Sequence, residues 1–127
     1  MTSFKTRQRI CFEMRRFEQF SIASVVMVYC LRGRTDRIEL YTESFAEQYP
    51  KNPDKAIAPF VAAAQKAQQV GLGLNAGHDL SLENIQFFAQ NIPGLLEVSI
   101  GHALVCESLY YGLENVINQY IAKLSSH

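Results

Sequence analysis

The sequence predicts an α/β fold of parallel strands joined by helical crossovers, and three observations carry that expectation. From Thr35 onward short apolar strands alternate with amphipathic helical stretches, their order is βαβαβα, and each strand keeps polar or very small residues on one face. The first two are the pattern of parallel strands with right-handed connections. The third separates a barrel from an open sheet, because a doubly wound sheet buries aliphatics on both faces, whereas a closed βα barrel turns one face to the helices and the other to its lumen. A portion of a (β/α)8 barrel is therefore expected, since a whole one takes about 250 residues and this chain has 127.

The elements follow in order. Residues 1–34 do not share the rhythm and read as a separate basic head: up to residue 37 the chain holds eight of its twelve Lys and Arg and three of its twelve Asp and Glu. The apolar run Phe20 to Leu31 within it is expected to be a buried strand or a disordered leader. A cleaved export signal is the weaker reading, because Glu13 and Glu18 interrupt the basic region and no small-x-small cleavage site follows. At twelve residues the run falls short of the roughly 20 that span a bilayer as a helix.

Arg37 to Thr42 alternates with period two and predicts a strand, with Ile38, Leu40 and Thr42 on one face and Arg37, Glu39 and Tyr41 on the other. A polar loop with Pro50 and Pro53 precedes a helix whose stripe is Ile57, Phe60, Val61, Ala64 and Ala67. Gly71 to Ala76 predicts the second strand. Ser81 is the expected N-cap of a helix that buries Leu82, Ile85, Phe88, Ala89 and Ile92 and stops at Pro93-Gly94. Leu95 to Ile100 predicts the third strand, and one last helix is expected to bury Val105, Leu109, Leu113, Val116, Ile117, Tyr120 and Leu124.

Composition excludes several function classes. With 48% hydrophobic and 19% charged residues the chain is a globular domain, and a formal charge of zero supplies no global field for nucleic acid or an anionic membrane. Cys11, Cys30 and Cys106 form no CxxC pair, which fits a reducing cytosol better than a disulfide framework or a zinc site.

The chemistry concentrates in an internal echo. LGLNAGHDL (Leu72 to Leu80) and LEVSIGHAL (Leu96 to Leu104) both run strand, Gly, His, helix, with the Gly-His pairs 24 residues apart. Each pair sits at the C-terminal rim of a parallel sheet, where ligands bind. A glycine there lets the backbone turn and approach a ligand, and the following helix offers free N–H groups and a positive dipole end to an anion, phosphate above all. His78 and His102 add proton donors near neutral pH. The structural alternative is that such glycines are turn residues and such histidines caps or packing groups. Two histidines lack a third ligand at metal spacing, so no metal site is expected. Glu39, on the lumen face, suits a general acid or base, or an ion pair with Arg37 or another cation, and spacing does not choose between them.

DRIELYTE (Asp36 to Glu43), LGLNAGHDLSLENI (Leu72 to Ile85) and IPGLLEVSIGHALVCESLYYGLENVI (Ile92 to Ile117) resemble the C-terminal part of the pyridoxine 5'-phosphate synthase family over about residues 35–124. The resemblance implies the last three βα units of a (β/α)8 TIM barrel across 35–127, behind an unmatched segment 1–34. It implies condensation of 1-deoxy-D-xylulose 5-phosphate with 3-amino-2-oxopropyl phosphate to pyridoxine 5'-phosphate, phosphate and water, with no metal or organic cofactor, in a cytoplasmic octamer. Its partners would be small phosphorylated substrates, neither nucleic acid nor membrane. By the same resemblance His78 is the proton donor, Glu39 the transition-state stabiliser, and Asp79, Gly101 and His102 bind substrate. Asp79 stands where many members carry glycine, so a contact through its N–H would survive, whereas a phosphate close to its carboxylate would be repelled.

The family's other catalytic groups, on its first three strands, have no counterpart here, as a truncated or frameshifted reading frame would produce. The alternative expectation is a noncatalytic phosphate-binding or self-associating barrel fragment, with Arg37 to Thr42 as an exposed strand edge open to a second copy.

Overall fold

The computed structural model describes the backbone of residues 26–31 and 34–125, and side chains from residue 36 onward. Its elements are β1 (Val26–Leu31), β2 (Arg34–Tyr41), α1 (Glu43–Gln48), α2 (Pro53–Gln69), β3 (Gly73–His78), α3 (Ile85–Asn91), β4 (Leu95–Ile100), α4 (His102–Tyr111) and α5 (Leu113–Ser125). The sheet order is β1-β2-β3-β4. β2, β3 and β4 are mutually parallel, in registers that set Glu39 opposite Asn75 and Gly77 opposite Ser99.

The parallel α/β expectation holds for these three strands, and alternation explains their two faces. Ile38 and Leu40 of β2 and Leu74 and Ala76 of β3 are buried against the helices. Arg37, Glu39 and Tyr41, then Gly73, Asn75 and Gly77, then Glu97 and Ser99, share the opposite face. The core between sheet and helices centres on Phe45 of α1, Phe60 of α2 and Phe88 of α3. Their rings meet edge-on, with centroids 4.9 to 5.9 Å apart. α2 starts at Asn52, whose side-chain oxygen accepts from the Lys55 N–H at 2.9 Å, with Pro53 in the first turn.

Four expectations are corrected. Arg37 to Thr42 is not an open edge, because β1 pairs antiparallel with β2 from Val26 opposite Leu40 to Leu31 opposite Arg34. Val26–Leu31 of the apolar run is thus a strand, while the burial expected of it and the run's other residues lie outside what is described. The polar loop after β2 contains a short helix, α1, which local pattern missed because a single residue, Phe45, anchors it in the core. Ser81 opens a turn rather than a helix: its Oγ accepts from Glu83 N–H at 3.3 Å, and Asn84 occupies the cap position of α3.

The last helix is two. Gly112, at φ 82, breaks it into α4 and α5, so one apolar stripe cannot stay in phase. Val116 and Tyr120 of α5 are buried as expected, whereas Val105, Leu109, Leu113 and Ile117 are exposed. Glu107 ties the pieces together. Its carboxylate accepts from the Leu82 N–H at 3.0 Å and from the Tyr120 hydroxyl at 2.5 Å.

Candidate functional site

The open face of the sheet is a hydrogen-bonded polar surface. Ser99 Oγ donates to Glu39 Oε1 at 2.9 Å, joining β4 to β2 across the intervening β3. Gly77 of β3 makes that reach possible, since a Cβ there would overlap Ser99 Oγ and stand 2.9 Å from Glu39 Oε1. One layer lower, Glu97 Oε2 accepts from Asn75 Nδ2 and from Arg37 Nη1, both at 2.8 Å. Arg37 thus pairs with Glu97. Asn75 Oδ1 is buried with no hydrogen-bond partner.

β3 ends at His78, not at Ala76, so Gly77 lies within the strand and His78 is its last residue. The turn is made at His78, a non-glycine residue with φ 91. Such backbone costs about 1–3 kcal/mol and persists only where its surroundings fix it. Strand alternation alone would send position 78 to the helix side with Leu74 and Ala76. The left-handed turn brings the ring beside Tyr41, centroids 5.0 Å apart.

His78 Nδ1 lies 2.9 Å from Asp79 Oδ2, an exposed pair in which the carboxylate orients the imidazole. The Asp79 N–H is already engaged, donating to Thr42 Oγ1 at 3.0 Å. Partial burial, reinforced by the carboxylates of Glu43 and Asp79, raises the Tyr41 phenol above its ordinary 10.0.

The second pair is built differently. Gly101 caps α4 without a side-chain bond, and a Cβ there would meet nothing within 4 Å. His102 is the first residue of α4 and is exposed, its Nε2 3.3 Å from Cys106 Sγ one turn on. The echo in the sequence therefore covers two structures, a packed strand glycine before a strained histidine and an open helix start.

Of the five residues singled out, His78 and Asp79 form a contacting pair. Glu39 lies on the polar face two residues before the Tyr41 that touches His78. Gly101 and His102 lie at the neighbouring strand end, His78 pairing with Ile100 in register. Among the described residues no three His, Cys, Asp or Glu side chains gather as a metal site. Sequence reasoning missed Thr42 and Cys106. The signal for Thr42 was a hydroxyl in an aliphatic inward series after Ile38 and Leu40; for Cys106 it was the four-residue helical spacing from His102.

Residues 23–126 match the family described as pyridoxal phosphate biosynthesis protein PdxJ. The chain is 68% identical over 90 residues to a pyridoxine 5'-phosphate synthase of Flavobacterium johnsoniae, covering 71% of this chain and 38% of the relative. Against the protein of the same name from Parabacteroides distasonis it is 65% identical over 92 residues, 72% and 39% of the two chains. Against that of Bacteroides thetaiotaomicron it is 55% identical over 106 residues, 83% and 45%. The chain thus spans less than half the length of these relatives, and by the match over most of its own length it belongs to the PdxJ family.

Proposed function

We propose that this chain supplies the last three βα units of a (β/α)8 TIM barrel that makes pyridoxine 5'-phosphate. The reaction would condense 1-deoxy-D-xylulose 5-phosphate with 3-amino-2-oxopropyl phosphate, releasing phosphate and water, in the cytoplasm and in an octameric assembly. One observation carries the reading: the polar faces of three parallel strands form one bonded surface, Ser99 to Glu39 and Asn75 to Glu97, below His78 at the end of β3 and His102 at the start of α4.

On this reading Glu39, oriented by Ser99, offers negative charge to a cationic imine or a developing enol proton in the lumen. His78 delivers a proton through Nε2, since Asp79 engages Nδ1 and leaves Nε2 to face substrate. Gly101 and His102 at the start of the ten-residue α4 take a phosphate, with open space where a Cβ would stand and the helix dipole behind. Asp79 contacts substrate by its carboxylate, because its N–H is held by Thr42. A cationic amine on the substrate suits that carboxylate better than a phosphate does.

The second reading, a noncatalytic phosphate-binding or self-associating barrel fragment, draws on the openness of the same face, where the Arg37 and Glu97 side chains keep 48% and 63% exposure. One assay separates the two: both substrates are mixed with pure protein and pyridoxine 5'-phosphate is followed, with His78→Ala alongside. Product that disappears in the variant supports catalysis. No product at any protein concentration supports the fragment.

A further inference from the structure

We infer that Thr42 is the positioning residue that holds His78 in its working conformation, an inference that rests on His78 being the proton donor proposed above. Thr42 follows β2 directly and is fully buried. Its hydroxyl donates to the Gly77 carbonyl at 2.6 Å and accepts from the Asp79 N–H at 3.0 Å. The same Gly77 carbonyl also accepts from the Thr42 N–H at 3.2 Å. One side chain just after β2 thereby grips the peptide groups on both sides of His78, at the one described non-glycine residue whose φ is left-handed, at 91°.

The grip has a chemical purpose. A strained residue at a strand end relaxes unless neighbouring contacts over-determine it, and relaxation at position 78 would return the ring toward strand alternation and away from Tyr41. The hydroxyl is suited to the task because it both donates and accepts, which neither a valine of the same shape nor a backbone group alone can do. Burial makes each bond costly to lose, since no water replaces it. The Asp79 N–H bond also fixes the residue whose carboxylate orients His78 Nδ1, so the clamp sets both members of the pair.

The test compares the full chain with Thr42→Ser, which keeps the hydroxyl, and Thr42→Val, which keeps the shape. Amide hydrogen exchange at Asp79 is expected to rise about tenfold in Thr42→Val and to stay within about threefold of wild type in Thr42→Ser, the loss or retention of one buried hydrogen bond. The nuclear Overhauser contact between the His78 and Tyr41 rings is expected to vanish in the valine variant alone. Unchanged Asp79 exchange and an intact ring contact in Thr42→Val overturn the inference. So does a uniform rise that includes the core amides of Leu40 and Ala76, or a valine variant that does not fold, since either makes Thr42 a residue of general stability.

Where wild type forms pyridoxine 5'-phosphate, Thr42→Val should lower kcat about tenfold with KM within threefold, and Thr42→Ser should restore it. A KM change with kcat intact overturns the clamp's catalytic purpose. Absence of product from wild type counts against the proposed function, while the exchange and ring-contact measurements still decide whether Thr42 holds His78.

Discussion

Replacing Gly77 by alanine should destabilise the chain by about 2–4 kcal/mol, and the structure gives the parts of that figure. A Cβ at position 77 would stand 2.5 Å from the Ser99 carbonyl oxygen, a backbone atom that cannot rotate aside. Ordinary contact begins near 3.4 Å, so β3 and β4 would have to part by roughly 0.9 Å, and forced overpacking of this kind costs about 1–3 kcal/mol. The new methyl would also displace Ser99 Oγ from Glu39, removing a hydrogen bond of about 1 kcal/mol. At roughly 4 °C per kcal/mol for a domain of this size, thermal unfolding followed by circular dichroism should show Tm lower by about 8–16 °C. The matched variant is Gly101→Ala, whose Cβ meets nothing within 4 Å. Its Tm should stay within about 2 °C of wild type, inside the range of ordinary surface substitutions. Equal losses in the two variants, or a Gly77→Ala Tm within about 2 °C of wild type, would refute the division of the two Gly-His pairs into packed and open.

Two further outcomes follow from the packing. Burial, with help from the Glu107 carboxylate, raises the Tyr120 phenol well above its ordinary 10.0. A group whose folded pKa is raised contributes stability that is whole below the unfolded value and is lost as pH climbs through the folded one. Tyr120→Phe should therefore cost about 1.5–3 kcal/mol in urea unfolding at pH 7, with the gap to wild type narrowing above pH 10; a constant or widening gap would show that Glu107 does not hold the phenol's proton. Phe88→Ala should remove about 3–5 kcal/mol, since its ring is fully buried against Phe45 and Phe60. A loss below about 1.5 kcal/mol, measured the same way, would mean the aromatic cluster is not the centre of the core.

The sequence by itself determined whatever depends on neighbours along the chain. Period-two alternation put Ile38 and Leu40 on one face and Arg37 and Glu39 on the other, and the three parallel strands with their polar face follow from that local steric rule. Asn52, Pro53 and the Ile57 to Ala67 stripe made α2 legible for the same reason. The candidate histidines and glycines were legible as positions because a Gly-His pair recurs after two successive strands, 24 residues apart.

Only the tertiary structure decided what those positions touch. The two Gly-His pairs read alike, yet Ser99 and Glu39 close over Gly77 while Gly101 faces open space, and no local pattern encodes which strand lies opposite. Pairing of β1 against β2, the break at Gly112 and the grip of Thr42 around His78 each join residues or set a phase that periodicity cannot see. A hydrogen bond between Thr42 and Asp79 spans 37 residues, and contacts of that reach form only once the strands have been brought side by side.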